Sequence, residues 1–415
     1  MRLLALLLMA GVALGQLRVA ADRRHLETAE GKPFFWMADT AWELFHRLNR
    51  EDAALYLKTR AGQGFNVVQA VVLAELDGLT VGNAYGEVPL VDRDPLRPNE
   101  KYFAHVDWVI AEAGRQGMYV ALLPTWGNKV VQATWEKTSD VIFDEARARA
   151  YGKWIGARYR GAKNVVWVLG GDRKPDTVVG VWRAMAEGIR EADTGKHLMT
   201  FHPSGGASSS TVLHREAWLD FNMLQSGHSV RDKRNDEMIA KDRALEPVKP
   251  VLDGEPRYEN HPVDWKPEEK GWFEAYDVRQ AAYFAVFAGA AGHTYGCHDV
   301  WQMLEKQWAP VGLARGDWKT SLGLDGARQM GVLRKLMEAR GFEKLAPAPG
   351  LVLRGARSAM VYLPEGGAAR IVTPKVKARL RWFDPRTGRI SAAGQGMEAP
   401  GGSGRGNDWV LLVDW

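Results

Sequence analysis

Between Pro33 and Arg340, short apolar runs rich in β-branched and aromatic residues alternate with longer stretches whose apolar positions follow helical spacing. The runs fall at residues 34–40, 66–73, 118–126, 164–172, 197–203, 220–228, 250–256 and 292–300. They are short for helices and lack polar alternation, which predicts parallel strands covered on both faces. Helices are expected at 49–63, opened by Asn49 as N-cap, and at 101–116, 144–159, 177–192, 233–243, 271–288 and 325–340. Eight strands, each followed by a helix or by a loop long enough for one, predict a (β/α)₈ TIM barrel over residues 17–341. A doubly wound open sheet is the alternative. Against it, no glycine-rich phosphate loop follows the early strands, and polar or aromatic residues end nearly every strand instead of one crevice.

Beyond Gly341 the pattern changes. Pro347, Pro349 and Gly350 punctuate the chain, and β-rich runs separated by glycine-rich turns follow to Trp415. They predict a small antiparallel β-sandwich domain over residues 342–415. Within it, Trp382 and Phe383 are candidates either for stacking on a sugar or for the domain core.

Two stretches share one grammar. NVVWVLGGD ends an apolar run in Gly170, Gly171 and Asp172, and PVLDGEP ends one in Gly254 and Glu255. Each reads as a strand delivering a carboxylate through a glycine turn to the barrel face where such folds place their chemistry. The other strand ends supply Asp39, Trp42, Gln69, Glu75, Trp126, His202, Gln225, His228, Tyr258, Tyr295, His298 and Trp301. Paired carboxyl groups with aromatic faces are the ingredients of a carbohydrate site, one acid protonating the leaving oxygen while the other attacks or activates water. In this reading Asp172 and Glu255 are the catalytic pair. Asp39, Trp42, Gln69, Trp126, His202, Gln225, Tyr258, Tyr295, His298 and Trp301 bind substrate, and the loops 76–99 and 130–143 wall the cleft. An ordinary Asp is ionised at pH 7, so burial or the Glu255 charge must raise the pKa of Asp172 if it is to act as an acid. Glu255 should be held ionised by donors such as Tyr295 or His202. Each acid also has a plain structural alternative, a helix cap or a pair with Arg173 for Asp172 and a pair with Arg257 for Glu255.

The histidines show no short metal-binding spacing, and no metal or other cofactor is expected. Ser208, Ser209 and Ser210 lack the nucleophile-elbow pattern of serine hydrolases. A formal charge of +5 from 55 basic and 50 acidic residues, with no basic block, argues against a nucleic-acid partner. Residues 1–16, with one Arg, an apolar core and small residues near the end, read as a secretory signal peptide. No later segment reaches the ~20 apolar residues of a membrane span. With Cys297 as the lone cysteine there is no internal disulfide, which suits an exported bacterial protein, periplasmic or extracellular.

The motifs PFFWMADTAWELFHRL, GFNVVQAVVL, VVWVLGGDRKPD, FHPSGGASSS, WLDFNMLQSGH, KPVLDGEPRYE and GAAGHTYGCHDVWQM, in this order, resemble the apiosidase-like glycoside hydrolases (glycoside hydrolase family 140). The resemblance implies a barrel with a small C-terminal β-domain, acting on plant pectic side chains such as those of rhamnogalacturonan II. It also implies Asp172 and Glu255 as the carboxylate pair, and their placement on strands four and seven favours a retaining outcome by fold analogy. A non-catalytic binder of polysaccharide or collagen on a barrel scaffold is the competing reading. A metal-dependent barrel hydrolase is a third, and it lacks a ligand cluster.

Overall fold

The structure, a computed structural model, describes residues 14–133, 140–371, 378–393 and 397–415. Most of the expected leader, residues 1–13, and positions 134–139 of the expected wall loop lie outside the described residues. Eight parallel strands form the barrel: β1 (Trp36–Thr40), β2 (Val67–Leu73), β3 (Tyr119–Thr125), β4 (Val165–Gly170), β5 (Met199–His202), β6 (Asn222–Leu224), β7 (Val251–Asp253) and β8 (Gly292–Tyr295). Six run in one sheet in the order β8-β1-β2-β3-β4-β5, and β6 pairs with β7. Single backbone bonds span the two seams, Asp220 N to Met199 O at 2.8 Å and Ala291 N to Val251 O at 2.9 Å. The expected sixth, seventh and eighth strands are longer than the observed ones. The chain leaves the ladder early at each, and the freed residues build the cleft. After β8, His298–Trp301 turns helical instead.

The helices that cover the barrel, one after each strand, are α1 (Arg50–Gly62), α2 (Glu100–Arg115), α3 (Glu145–Tyr159), α4 (Val179–Asp193), α5 (Ser210–Leu213), α6 (Asn235–Arg243), α7 (Ala275–Phe287) and α8 (Asp325–Ala339). As expected, the Asn49 side chain caps α1, accepting from Asp52 N at 2.8 Å. Among the described residues no helix is long and apolar enough to cross a membrane.

Alternate strand residues sort into two apolar clusters, the period of a pleated strand. Trp36, Ala38, Val67, Val71, Ala121, Leu123, Val166 and Val168 fill the barrel interior. Met37, Val68, Val72, Val120, Leu122 and Trp167 face the helices. Leu17, Leu26 and Phe34, from three short N-terminal strands, join the interior cluster where β1 begins.

The C-terminal strands are β9 (Ala346–Ala348), β10 (Val352–Arg354), β11 (Ser358–Leu363), β12 (Gly366–Ala368), β13 (Arg379–Phe383), β14 (Ile390–Ala392), β15 (Glu398–Ser403) and β16 (Trp409–Asp414). They form an antiparallel sheet in the order β9-β10-β11-β16-β13-β14 and a two-stranded β12-β15 sheet. Here too the faces divide by parity. Leu353, Met360, Tyr362, Phe383, Val410 and Leu412 join the barrel's outer cluster, whereas Val352, Ala359, Val361, Trp382, Leu411 and Val413 form the domain's own core. Trp382 and Phe383 are therefore packing residues. Burial at about 1.5–3 kcal/mol per large apolar side chain dominates this junction. The fork between Arg279 and Asp408 (Nε to Oδ2 2.8 Å, Nη2 to Oδ1 2.5 Å) is buried within it and contributes less, since desolvation consumes much of a buried pair's Coulomb gain.

The same parity corrects one expectation. Asp39 shares the orientation of Met37 and points into the helix layer, where its Oδ2 accepts from Tyr56 OH at 2.6 Å and Arg60 Nε at 2.7 Å, both groups on α1. Asp39 and Arg60 are wholly buried. Asp39 ties β1 to α1 and lies away from the cleft. Asp39→Ala, which leaves Arg60 buried and unpaired, should cost about 3–5 kcal/mol of stability, read as a lower urea midpoint. A sugar-gripping role would instead raise KM at unchanged stability.

Candidate active site

The carboxyl ends of the barrel strands surround a cavity of about 470 Å³. Asp172 enters it from β4. Gly170 and Gly171 have φ of +91° and +119°, and a Cβ at Gly170 would stand 2.3 Å from His202 O, so the turn that presents Asp172 requires glycine at both positions. Asp172 itself has a left-handed backbone, φ +55°. Its amide lies 3.4 Å from His202 Nδ1, and its Oδ2 lies 3.5 Å from Arg173 Nη1.

Glu255 enters from the turn after β7. Met223 lies against Gly254, where a Cβ would meet Sδ at 2.5 Å. The Gly254 carbonyl is held from across the barrel by Gln69 Nε2 at 2.9 Å. Glu255 Oε1 is hydrogen-bonded to His228 Nε2 at 2.9 Å, and Oε2 lies 2.9 Å from His202 Nε2. The second contact is poorly aligned for a hydrogen bond, and the His228 bond is the stronger constraint. Arg257 turns away, bonding Arg231 O and Gln280 Oε1, so it is not the partner of Glu255.

These surroundings drive the two carboxyl groups apart electrostatically. Burial pushes the Glu255 pKa upward, but the two imidazoles outweigh it and hold the group at about 2. Asp172 is raised, first by burial and then by the Glu255 charge, against the opposing effects of His202, Arg173 and Gln225. A third acid, Glu75, faces Asp172 from the end of β2. Burial and the Asp172 charge raise it to about 7, while Arg173, at 3.9 Å from its Oε1, and Lys129 oppose the shift. Lys129, fully buried, also reaches Glu75 O at 3.3 Å and Asp140 at 3.6 Å.

Trp42, Trp126, Gln225, Tyr258, His298 and Trp301 line the cavity with the two acids, as expected from the sequence. His202 lies beneath them, flanked by Trp42 and Trp126 at ring distances of 5.3 and 5.6 Å. Three further expectations are corrected. Gln69 shares the inward orientation of Val67 and Val71, but it supports the Gly254 turn below the cavity. Tyr295 faces outward like Asp39 and donates to Glu259 Oε2 at 2.6 Å, so it is no donor to Glu255. The loop 76–99 contributes nothing to the cavity lining.

Sequence reasoning missed His261 and Trp265, which follow Glu255 in the stretch PRYENHPVDW. The available signal was aromatic residues set among turn-formers directly after a strand-end acid. His261 lies between His228, on which it stacks (4.4 Å), and His298, which it meets edge-on (4.2 Å). Burial lowers His298 to about 4, which favours neutral imidazole. Among the described residues no three His, Cys, Asp or Glu side chains are placed to hold a metal ion.

Several polar atoms of the lining, Trp126 Nε1, Gln225 Oε1 and His228 Nδ1, are buried without a partner among the described residues. At about 1–3 kcal/mol for each unmade bond, such groups mark a place for a polyhydroxylated ligand. Between aromatic rings, the ligand class that satisfies both demands is a sugar.

The family model described as "Apiosidase-like, catalytic domain" matches residues 20–344. That described as "Putative collagen-binding domain of a collagenase" matches residues 350–414. No curated protein matches. A solved structure named "Glycoside hydrolase" is 31% identical with a TM-score of 0.85, covering 96% of this chain and 97% of its own. A glycoside hydrolase family 5 structure from Bacteroides vulgatus ATCC 8482 is also 31% identical, with a TM-score of 0.86 and coverages of 96% and 93%. A family 5 mannosidase from Rhizomucor miehei shares the fold at 12% identity and a TM-score of 0.53, over 79% of this chain and all of its own.

The carboxyl shifts have opposite consequences for stability. Glu255, depressed from 4.5 to about 2, stabilises the fold above pH 4.5, and that contribution is lost as pH falls toward 2. Glu75, raised from 4.5 to about 7, binds its proton more tightly when folded, so stability falls as pH rises through that interval. Glu75→Gln should therefore gain urea midpoint relative to wild type from pH 4.5 to pH 7, with the difference constant above it. A pH-independent difference would refute the shift.

Proposed function

The chain belongs to the apiosidase-like glycoside hydrolases, and from that premise we propose that it is an exported enzyme cleaving a glycosidic bond in plant pectic polysaccharide, with apiose-bearing side chains of rhamnogalacturonan II as the first candidate. The observation that carries this reading is the pair of carboxyl groups converging on one cavity from β4 and β7, Glu255 held ionised and Asp172 pushed toward its protonated form. In the first step a Glu255 oxygen bonds to the anomeric carbon while the bond to the leaving oxygen breaks, and that oxygen takes the Asp172 proton. Water, deprotonated by Asp172, then attacks the same carbon. Glu255 leaves as carboxylate, and the sugar is released with retained configuration. His202 spans the two acids, with one ring nitrogen at the Asp172 amide and the other at Glu255. Trp126, Gln225 and His228 offer their unpartnered atoms to sugar hydroxyls.

Non-catalytic binding of polysaccharide or collagen is less well supported, because a binder has no use for two acids tuned in opposite directions. A panel of pectic oligosaccharides incubated with wild type, Asp172→Asn and Glu255→Gln separates the readings. Wild type should release a sugar. Asp172→Asn should be slower by about 10²- to 10⁴-fold, and Glu255→Gln inactive. Binding without cleavage by wild type, or full activity in both variants, would reject the assignment.

The pH dependence of kcat/KM is a second check. Loss of the proton held by the neighbouring Asp172 and Glu75 should set the basic limb. Glu75→Gln removes a negative charge beside Asp172, lowers the Asp172 pKa, and should move that limb to lower pH. An unmoved limb would show that Glu75 does not tune the acid.

A further inference from the structure

We propose that the loops after β6, β7 and β8 carry a second sugar subsite at the outer edge of the cavity, with Trp265 as its platform and the next unit of the glycan as its occupant. The proposal rests on the glycosidase reading of the cavity. Trp265 is 50% exposed, and together with exposed apolar neighbours it forms a patch of the kind that marks a ligand-binding surface. It is also held in place at a conformational cost. Asp264 and Trp265 both have left-handed backbone, φ +55° and +56°, a region that bulky residues avoid.

The loop is pinned on both sides by Asp264 N to His228 O (2.9 Å), Val263 N to Gly271 O (3.0 Å) and Phe273 N to His261 O (2.9 Å). His261 meets the indole edge to face, with ring centres 5.2 Å apart and planes at 81°. On the side of the β8 loop Gly312 has left-handed backbone, φ +60°, and packs closely, since a Cβ there would lie a tight 3.1 Å from the His298 ring and in ordinary contact, 3.6 Å, with Trp265 Nε1.

Exposed apolar side chains come from both neighbouring loops. Val230 (52%) comes from the β6 loop, and Val311 (38%) and Leu313 (54%) come from the β8 loop. Val230, Trp265 and Val311 belong to the lining of the same cavity as Asp172 and Glu255. This lip is thus continuous with a pocket whose orphaned polar atoms call for sugar hydroxyls. The carbohydrate surface that matches an apolar lip is the C–H face of a ring, and a glycan reaching out of the pocket brings one there.

Trp265→Ala and Trp265→Tyr should be compared with wild type on two substrates, an oligosaccharide from the cleavage panel and the glycosyl fluoride of its terminal sugar, which has no second ring. For Trp265→Ala, kcat/KM on the oligosaccharide should fall about tenfold, chiefly through KM, with the fluoride affected less than about twofold. Trp265→Tyr should restore most of the loss. Equal losses on both substrates, or no loss on either, would overturn the subsite. Should wild type cleave nothing in the panel, the glycosidase reading fails separately, and calorimetric Kd values for the same oligosaccharides decide the subsite. Weaker binding by Trp265→Ala than by wild type supports it, and equal or absent binding overturns it.

Discussion

The arrangement at the mouth of the barrel depends on how a buried carboxylate is kept charged. Removing Glu255 from water would ordinarily neutralise it. It stays ionised because imidazoles from two other strand ends, His202 and His228, meet its two oxygens at 2.9 Å. Each histidine must itself be held. His202 is flanked by Trp42 and Trp126 and takes the Asp172 amide on its other nitrogen, and His228 stacks on His261. One buried charge thereby recruits residues from β4, β5 and β6 and from the turn after β7. Its negative field is in turn one of the causes that raise Asp172.

The backbone meets the same demand through tight contacts. Gly170, Gly171 and Gly254 sit where a Cβ would strike His202, Trp126 or Met223, so strand ends and turns approach closely enough for carboxyl and imidazole to meet. Gln69 closes the arrangement from below by donating to the Gly254 carbonyl. The early departure of β6 and β7 from the ladder leaves two seams crossed by single backbone bonds and frees residues 225–230 and 254–265 for the cleft. Barrel closure is regular where it carries the fold and sparse where it carries the cavity.

The C-terminal sheet is attached by one complete apolar face over the barrel's helix layer, with the Arg279 and Asp408 fork buried inside that contact. This accounts for its alternating sequence better than an independent binding role does. Trp382 is spent on the domain's own core and Phe383 on the junction.

Much of this was legible in the chain. Local periodicity determined the eight strands, seven of the helices and the change of architecture after Gly341, because burial on both faces, helical spacing and turn residues are properties of neighbouring positions. The glycine turns before Asp172 and Glu255 were legible for the same reason. Strand parity also held information that strand-end position alone overlooks. Asp39 and Tyr295 alternate with the interior residues Ala38 and Thr294, so they face the helices, where Arg60 and Glu259 receive them. Only the tertiary structure decided which groups meet. The partnership of His202 and His228 with Glu255, the third acid at Glu75, the support from Gln69 and the raised Trp265 join positions remote in sequence. Their distances, and with them the protonation of each acid, follow from barrel closure, a long-range constraint that no local pattern encodes.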